Sequence, residues 1–131
     1  MNSVSSLEIR LTDGSWYAVC DPSSLTPGRG VAALLPGGRQ VAVFLDRAGR
    51  PYALSNRDPF SGAYVLSRGL TGSHEGRPFV ASPLLKQRFE LATGRCLDDE
   101  EIAVQAYEAR VRTEEGVRET ERTPERVPAA P

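Results

Sequence analysis

The residues in this 131-residue sequence with chemistry to offer are few and scattered. The single histidine, His74, stands beside Glu75 in a glycine-rich stretch, where an imidazole can act as an acid–base group or give one ligand to a metal. Without a second donor of metal-ligand spacing nearby, it reads as polar surface. Cys20 and Cys96 lie far apart, and nothing else points to an oxidising compartment, so both are expected to be buried thiols. Gly28-Arg29-Gly30-Val31-Ala32-Ala33 partly matches the dinucleotide fingerprint, which needs a strand before it and a helix after it to bring a helix N-terminus to the pyrophosphate. Pro27 precedes and β-competent residues follow, so no nucleotide is expected there. Asp98-Asp99-Glu100-Glu101 offers carboxylates to a hard cation, yet it lacks the interleaved glycine and carbonyl donors of a calcium loop and reads as a solvated turn. No G-x-S-x-G, H-E-x-x-H, C-x-x-C or P-loop pattern occurs, and any Ser or Cys nucleophile has only His74 as base. The chain is therefore expected to hold no catalytic or metal centre and to act through a partner that does.

Bulk properties agree. Sixteen Lys+Arg against seventeen Asp+Glu leave a formal net charge of -1, which gives no long-range attraction to nucleic acid or anionic lipid. Met1 to Arg10 shows no basic segment leading into an apolar run, and no stretch approaches the roughly 18 apolar residues of a membrane helix. A cytoplasmic protein with no nucleic-acid or membrane partner is expected.

The elements that must position any site are short apolar runs divided by Gly, Pro and Asp, without a sustained 3.6-residue period. That is the pattern of an all-β domain. Trp16 to Cys20 reads as a strand, followed by Asp21-Pro22-Ser23-Ser24, where Asp can cap and Pro can open a single helical turn. Val31 to Leu35, Gln40 to Leu45 and Pro51 to Ser55 form a three-stranded meander, with Gln40 to Leu45 central and turns at Pro36-Gly37-Gly38-Arg39 and Asp46-Arg47-Ala48-Gly49. Asn56 to Gly76 is expected to be mostly loop, and long ordered loops tend to carry function. Strands resume at Pro78 to Ser82 and Arg88 to Leu91, and the turn Ala92-Thr93-Gly94-Arg95 returns the chain to Cys96-Leu97 as a hairpin. Ile102 to Arg112 changes apolar phase between Ala106 and Tyr107, as a bulge or a doubly buried strand would. Glu114-Glu115-Gly116 then turns the chain. The expected organisation is an N-terminal segment 1–13, a domain 14–117, and a charged, Pro-rich disordered tail 118–131.

Two segments placed side by side resemble proteins of the Rieske type. Those carry a C-x-H element followed by Gly and an apolar residue, then C-P-x-H, then Phe, an acidic residue, Leu and T-G. Here Asn56-Arg57-Asp58 leads to Gly62-Ala63, and Ser82-Pro83-Leu84-Leu85 leads to Phe89-Glu90-Leu91-Ala92-Thr93-Gly94. Asn56 and Ser82 thus stand at the cysteine places, and Asp58 and Leu85 at the histidine places. These groups cannot replace two thiolates and two imidazoles, so the resemblance implies a Rieske-type fold, an antiparallel β-sandwich of small sheets, without its [2Fe-2S] cluster.

The strings Ser55-Asn56-Arg57-Asp58-Pro59-Phe60-Ser61-Gly62-Ala63, Leu66-Ser67-Arg68-Gly69-Leu70 and Ser82-Pro83-Leu84-Leu85-Lys86-Gln87-Arg88-Phe89 closely resemble the small subunit of assimilatory NAD(P)H-dependent nitrite reductase. The resemblance implies a non-metal subunit, itself without cofactor, beside a large subunit that carries FAD, sirohaem and a 4Fe-4S cluster and reduces nitrite to ammonium. It assigns no catalytic residue to this chain. A degenerate Rieske ferredoxin-type binding module with a different redox partner is the alternative. Arg57, Phe60, Arg68, Lys86 and Arg88, with Arg77 near them in sequence, are the expected docking residues, because Arg is enriched in interfaces and clamps carboxylates. Asn56 and Asp58 are expected to hold their loop by hydrogen bonds, and Phe60 and Leu85 to fill the space of the absent cluster.

Overall fold

The computed structural model describes residues 5–113 and 116–119, and among these it is all-β and antiparallel. The strands are β1 (Ser6–Arg10), β2 (Trp16–Cys20), β3 (Val31–Leu34), β4 (Gln40–Leu45), β5 (Pro51–Ser55), β6 (Leu70–His74), β7 (Arg77–Ala81), β8 (Arg88–Glu90), β9 (Ala106–Tyr107), β10 (Ala109–Thr113) and β11 (Gly116–Glu119). They make three sheets, ordered β11-β10-β1-β2, β3-β4-β5-β9 and β6-β7-β8.

The meander is the middle layer, and its sequence shows why. In Gln40–Leu45 both faces are apolar, so Val41 and Val43 enter one buried cluster while Ala42 and Phe44 enter another. The first cluster is completed by Leu7 and Ile9 of β1 and Ala109 of β10; the second by Leu66, Val80 of β7, Phe89 of β8 and Leu91. Strands β4 and β5 of sheet β3-β4-β5-β9 are thus covered on both sides, which explains their continuous rather than alternating hydrophobicity. Its β4–β5 turn is locked by Asp46, whose carboxylate accepts from the Ala48 and Arg50 amides (2.9 and 2.8 Å), Arg50 Nε (2.9 Å) and the Tyr52 hydroxyl (3.2 Å). Asp21 accepts from the Ser23 amide at 2.9 Å and, with Pro22 next, opens the expected single 3-10 turn, Pro22–Ser24.

Four expectations change. Ser6–Arg10, assigned by sequence to a segment outside the domain, is a central strand, paired on one side with β2 and on the other with β10. The phase change at Ala106/Tyr107 is neither a bulge nor a doubly buried strand. The chain changes sheets there, with β9 on β5 and β10 on β1. Leu70–His74, expected as loop, is an edge strand held by β7 despite having Gly and Ser where apolar residues would normally stand. Cys20 is half-exposed, and only Cys96 is a buried thiol. The segment from 120 to 131 and the turn residues Glu114 and Glu115 fall outside the described residues, so the expected tail lies there except for its first two positions, which end β11.

Candidate functional site

The two loops that resemblance singled out, 56–62 and 82–87, meet at one end of the molecule. Ser82 Oγ donates to Asp58 Oδ2 at 2.5 Å, a buried bond that ties the loops together. Asp58 Oδ1 accepts from the Phe60 amide (2.8 Å), and the Asp58 carbonyl accepts from the Gly62 amide (2.7 Å). Asn56 is equally enclosed: its Oδ1 accepts from the Ser67 amide (2.8 Å), and its Nδ2 donates to Gln40 Oε1 (3.2 Å) and the Tyr64 carbonyl (3.3 Å). Three of the four ligand places are thus filled by polar groups that satisfy one another or the backbone, as buried polar groups must. Gly69 is needed beside them, because any Cβ there would run into the Ala81 carbonyl and Val80.

The fourth place behaves differently. Leu85 does not fill the cluster space; it is 51% exposed, as is Leu84. The tight return of the loop, with Lys86 N–H on the Ser82 carbonyl (3.0 Å) and Lys86 at φ 71, turns both leucines outward. Phe60 alone packs inward, 6.3 Å from the Phe89 ring. These residues do not fit an iron–sulfur cluster, since they offer no thiolate or imidazole and the Asp58–Ser82 bond closes the gap between the loops. Among the described residues no group of three or more His, Cys, Asp or Glu could hold a metal ion.

The expected docking cations divide in two. Arg57, Arg68 and Lys86 are exposed and pair with no carboxylate among the described residues. Arg88 instead grips Asp98 through its side chain (2.8 and 3.2 Å) and its amide (2.8 Å), which holds the Asp98 carboxyl below its ordinary value. Arg77 is in ion contact with the buried Glu90. Both are engaged within the hairpin. Sequence reading missed the exposed leucines Leu84 and Leu70, the latter 76% exposed on β6. It also missed a groove of about 510 Å³ beside Arg57, walled by Arg39, Tyr64, Gln105 and Tyr107. Its lining comes from separate segments, so no spacing announces it. Of the other candidates, Gly30 lies against the Phe44 ring and the Ser67 carbonyl and leads into β3, not a helix, and His74 and the 98–101 turn are surface.

Residues 15–118 match the Rieske-like [2Fe-2S] domain, in agreement with this architecture of small sheets and two apposed loops. The Salmonella typhimurium nitrite reductase (NADH) small subunit is 50% identical over 103 residues, spanning 74% of this chain and 90% of that protein. The crystal structure of a putative NADH-dependent nitrite reductase small subunit from Mycobacterium tuberculosis superposes with a TM-score of 0.69 at 39% identity, covering 94% of this chain and 98% of the other. A Klebsiella oxytoca nitrite reductase [NAD(P)H] large subunit is 46% identical over 105 residues, 79% of this chain but 11% of that one. The chain belongs to the nitrite reductase small-subunit family of Rieske-like domains.

Proposed function

We propose that this chain is the small, non-metal subunit of a cytoplasmic NAD(P)H-dependent nitrite reductase, and that it acts by setting its two-loop tip on the large subunit. The observation that carries this is the tip itself. Three of its four cluster places are closed by internal hydrogen bonds, while Arg57, Arg68 and Lys86 are left without carboxylate partners among the described residues and Leu84 and Leu85 point outward. Exposed apolar side chains on the same two loops and the adjoining turn as such guanidinium and ammonium groups are suited to a desolvated contact with an acidic rim. The Klebsiella match supports the same pairing, because a domain of this kind there forms part of the large-subunit chain.

In this reading the large subunit carries FAD, sirohaem and a 4Fe-4S cluster and reduces nitrite to ammonium, and this chain contributes no group to the chemistry. Its own residues build a rigid face: Asp58 and Ser82 fix the spacing of the loops, Asn56 fixes the 64–67 segment, and Phe60 anchors the first loop on Phe89. The purified chain is expected to be colourless and free of iron. Charge reversal by Arg57→Glu with Arg68→Glu should lower affinity for the large subunit on the order of 100-fold, each reversal both removing an attraction and adding a repulsion. Unchanged co-purification with unchanged nitrite reduction would overturn the docking role.

A further inference from the structure

The net charge of -1 conceals a strong segregation. Residues 26–89 hold nine Lys/Arg and three Asp/Glu, whereas the remaining residues hold seven and fourteen, so the first set stands at +6 and the second at -7. Of the three acids in the basic set, Asp46 is bound to Arg50, Asp58 is buried against Ser82, and Glu75 lies in the exposed β6–β7 turn. The groove beside the tip belongs mainly to this basic set. Its lining is Gly37, Gly38, Arg39, Gln40, Ser55 and Arg57, with Tyr64, Gln105 and Tyr107, and no carboxylate enters it.

We infer that this groove is the carboxylate-reading part of the docking surface, receiving an acidic segment of the large subunit while the leucine tip supplies the apolar contact. The inference rests on the association proposed above. Three features of the groove support it. Gln105 Oε1 accepts from both Arg39 (3.5 Å) and the Tyr107 hydroxyl (3.3 Å), so one neutral side chain holds the Arg39 and Tyr107 heads in place without neutralising the charge. Asn56 bonds Gln40 and the Tyr64 carbonyl, and Arg57 forms a bridge with Tyr64, so the closed cluster loop is also the groove's rim. Tyr64, 53% exposed, lines the groove together with Arg39 and Arg57, and Tyr with Arg are the residue types that dominate interface energetics. A guanidinium held as Arg39 is binds a carboxylate with little ordering cost, and with Arg57 and a phenol on the same groove it favours a segment carrying adjacent Asp or Glu. The volume, about 510 Å³, admits several side chains.

The test measures the dissociation constant of the full-length chain for the intact large subunit, with thermal melting to confirm folding. Arg39→Glu combined with Tyr64→Ala should weaken binding more than tenfold and flatten its salt dependence, since fewer charge contacts remain to be screened. Arg47→Glu, an equally exposed cation at the far end of β4, should change binding less than twofold. Wild-type affinity for the Arg39/Tyr64 variant, with affinity lost in Leu84→Ser/Leu85→Ser, overturns the groove and leaves the tip standing. Undiminished binding in both moves the interface elsewhere and overturns both. A wild-type chain that fails to bind the large subunit overturns the association itself.

Discussion

The sheet β11-β10-β1-β2 and the tip with its groove treat arginine in opposite ways. In the sheet, Arg110 meets Glu8 at 2.6 Å and lies 4.1 Å from the Trp16 ring centroid, Arg112 adds a longer contact to Glu8, and Arg10 pairs with Glu108 at 3.2 Å. At the tip, Arg57, Arg68 and Lys86 have no such partners among the described residues, and of the acids nearest them in sequence Asp58 is buried against Ser82, Glu90 is in contact with Arg77, and Glu75 lies in the exposed β6–β7 turn. The same residue type stabilises the fold in one region and, on the docking proposal, is left for another molecule in the other. What separates the two is whether the fold brings a carboxylate opposite, not how many arginines the segment contains.

The largest expected effect comes from the apolar part of the tip. Leu84→Asp with Leu85→Asp should abolish measurable complex at micromolar concentration in a pull-down while leaving the melting temperature nearly unchanged, because both side chains are already half in water. A large loss of stability instead would mean that the loop is core, not surface.

Asp58→Ala should show the converse. It leaves the Phe60 amide and the Ser82 hydroxyl without their acceptor, at roughly 1–3 kcal/mol each, so urea unfolding should report a loss of about 3 kcal/mol before any binding is measured.

Acid sharpens the contrast through the paired regions. Burial alone would raise the Glu8 carboxyl, but the hydrogen bond and charge of Arg110 outweigh it and hold it below its ordinary 4.5; Asp46 is likewise held below 3.8, burial being outweighed by Arg50. Carboxyls lowered by folding stabilise fully above those ordinary values and lose their contribution as pH falls through the lower folded ones. The urea midpoint should therefore drop from about pH 4.5 downward, and in Glu8→Gln the drop should be smaller.

The smallest effect concerns Arg88. Arg88→Ala should cost less than about 1 kcal/mol, as partly exposed pairs do, with binding unchanged, whereas Arg68→Ala should weaken binding and leave stability alone. Reversal of that pattern would erase the distinction between paired and waiting cations.

The sequence displayed what is local. The β3–β4–β5 meander, the Asp21-Pro22 turn and the 88–97 hairpin are each made by neighbours in the chain, so turn residues and apolar runs reveal them. The β1 strand was misplaced although Leu7 and Ile9 alternate correctly with polar residues and β2 follows after a short turn, because its central place depends on a second partner, β10, about a hundred positions away. The β6 strand had no apolar signature to read, since β7 imposes its register from outside. At the site, Asn56, Asp58 and Ser82 could be found by resemblance, but the outward turn of Leu85 depends on a backbone return that no residue type specifies.

The pairing of Leu7 with Val111 and Ile9 with Ala109 also governs how the chain comes into being. During synthesis β1 can pair with β2 and the meander can close as soon as Ser55 emerges, whereas the other edge of β1 must wait for β10, almost the whole polypeptide later. Contacts of such long sequence separation slow folding. The β1–β10 pairing is therefore expected to form late, and a protein truncated after Gln105 is expected to keep its tip loops but lose the strand that completes the cover of Leu7 and Ile9.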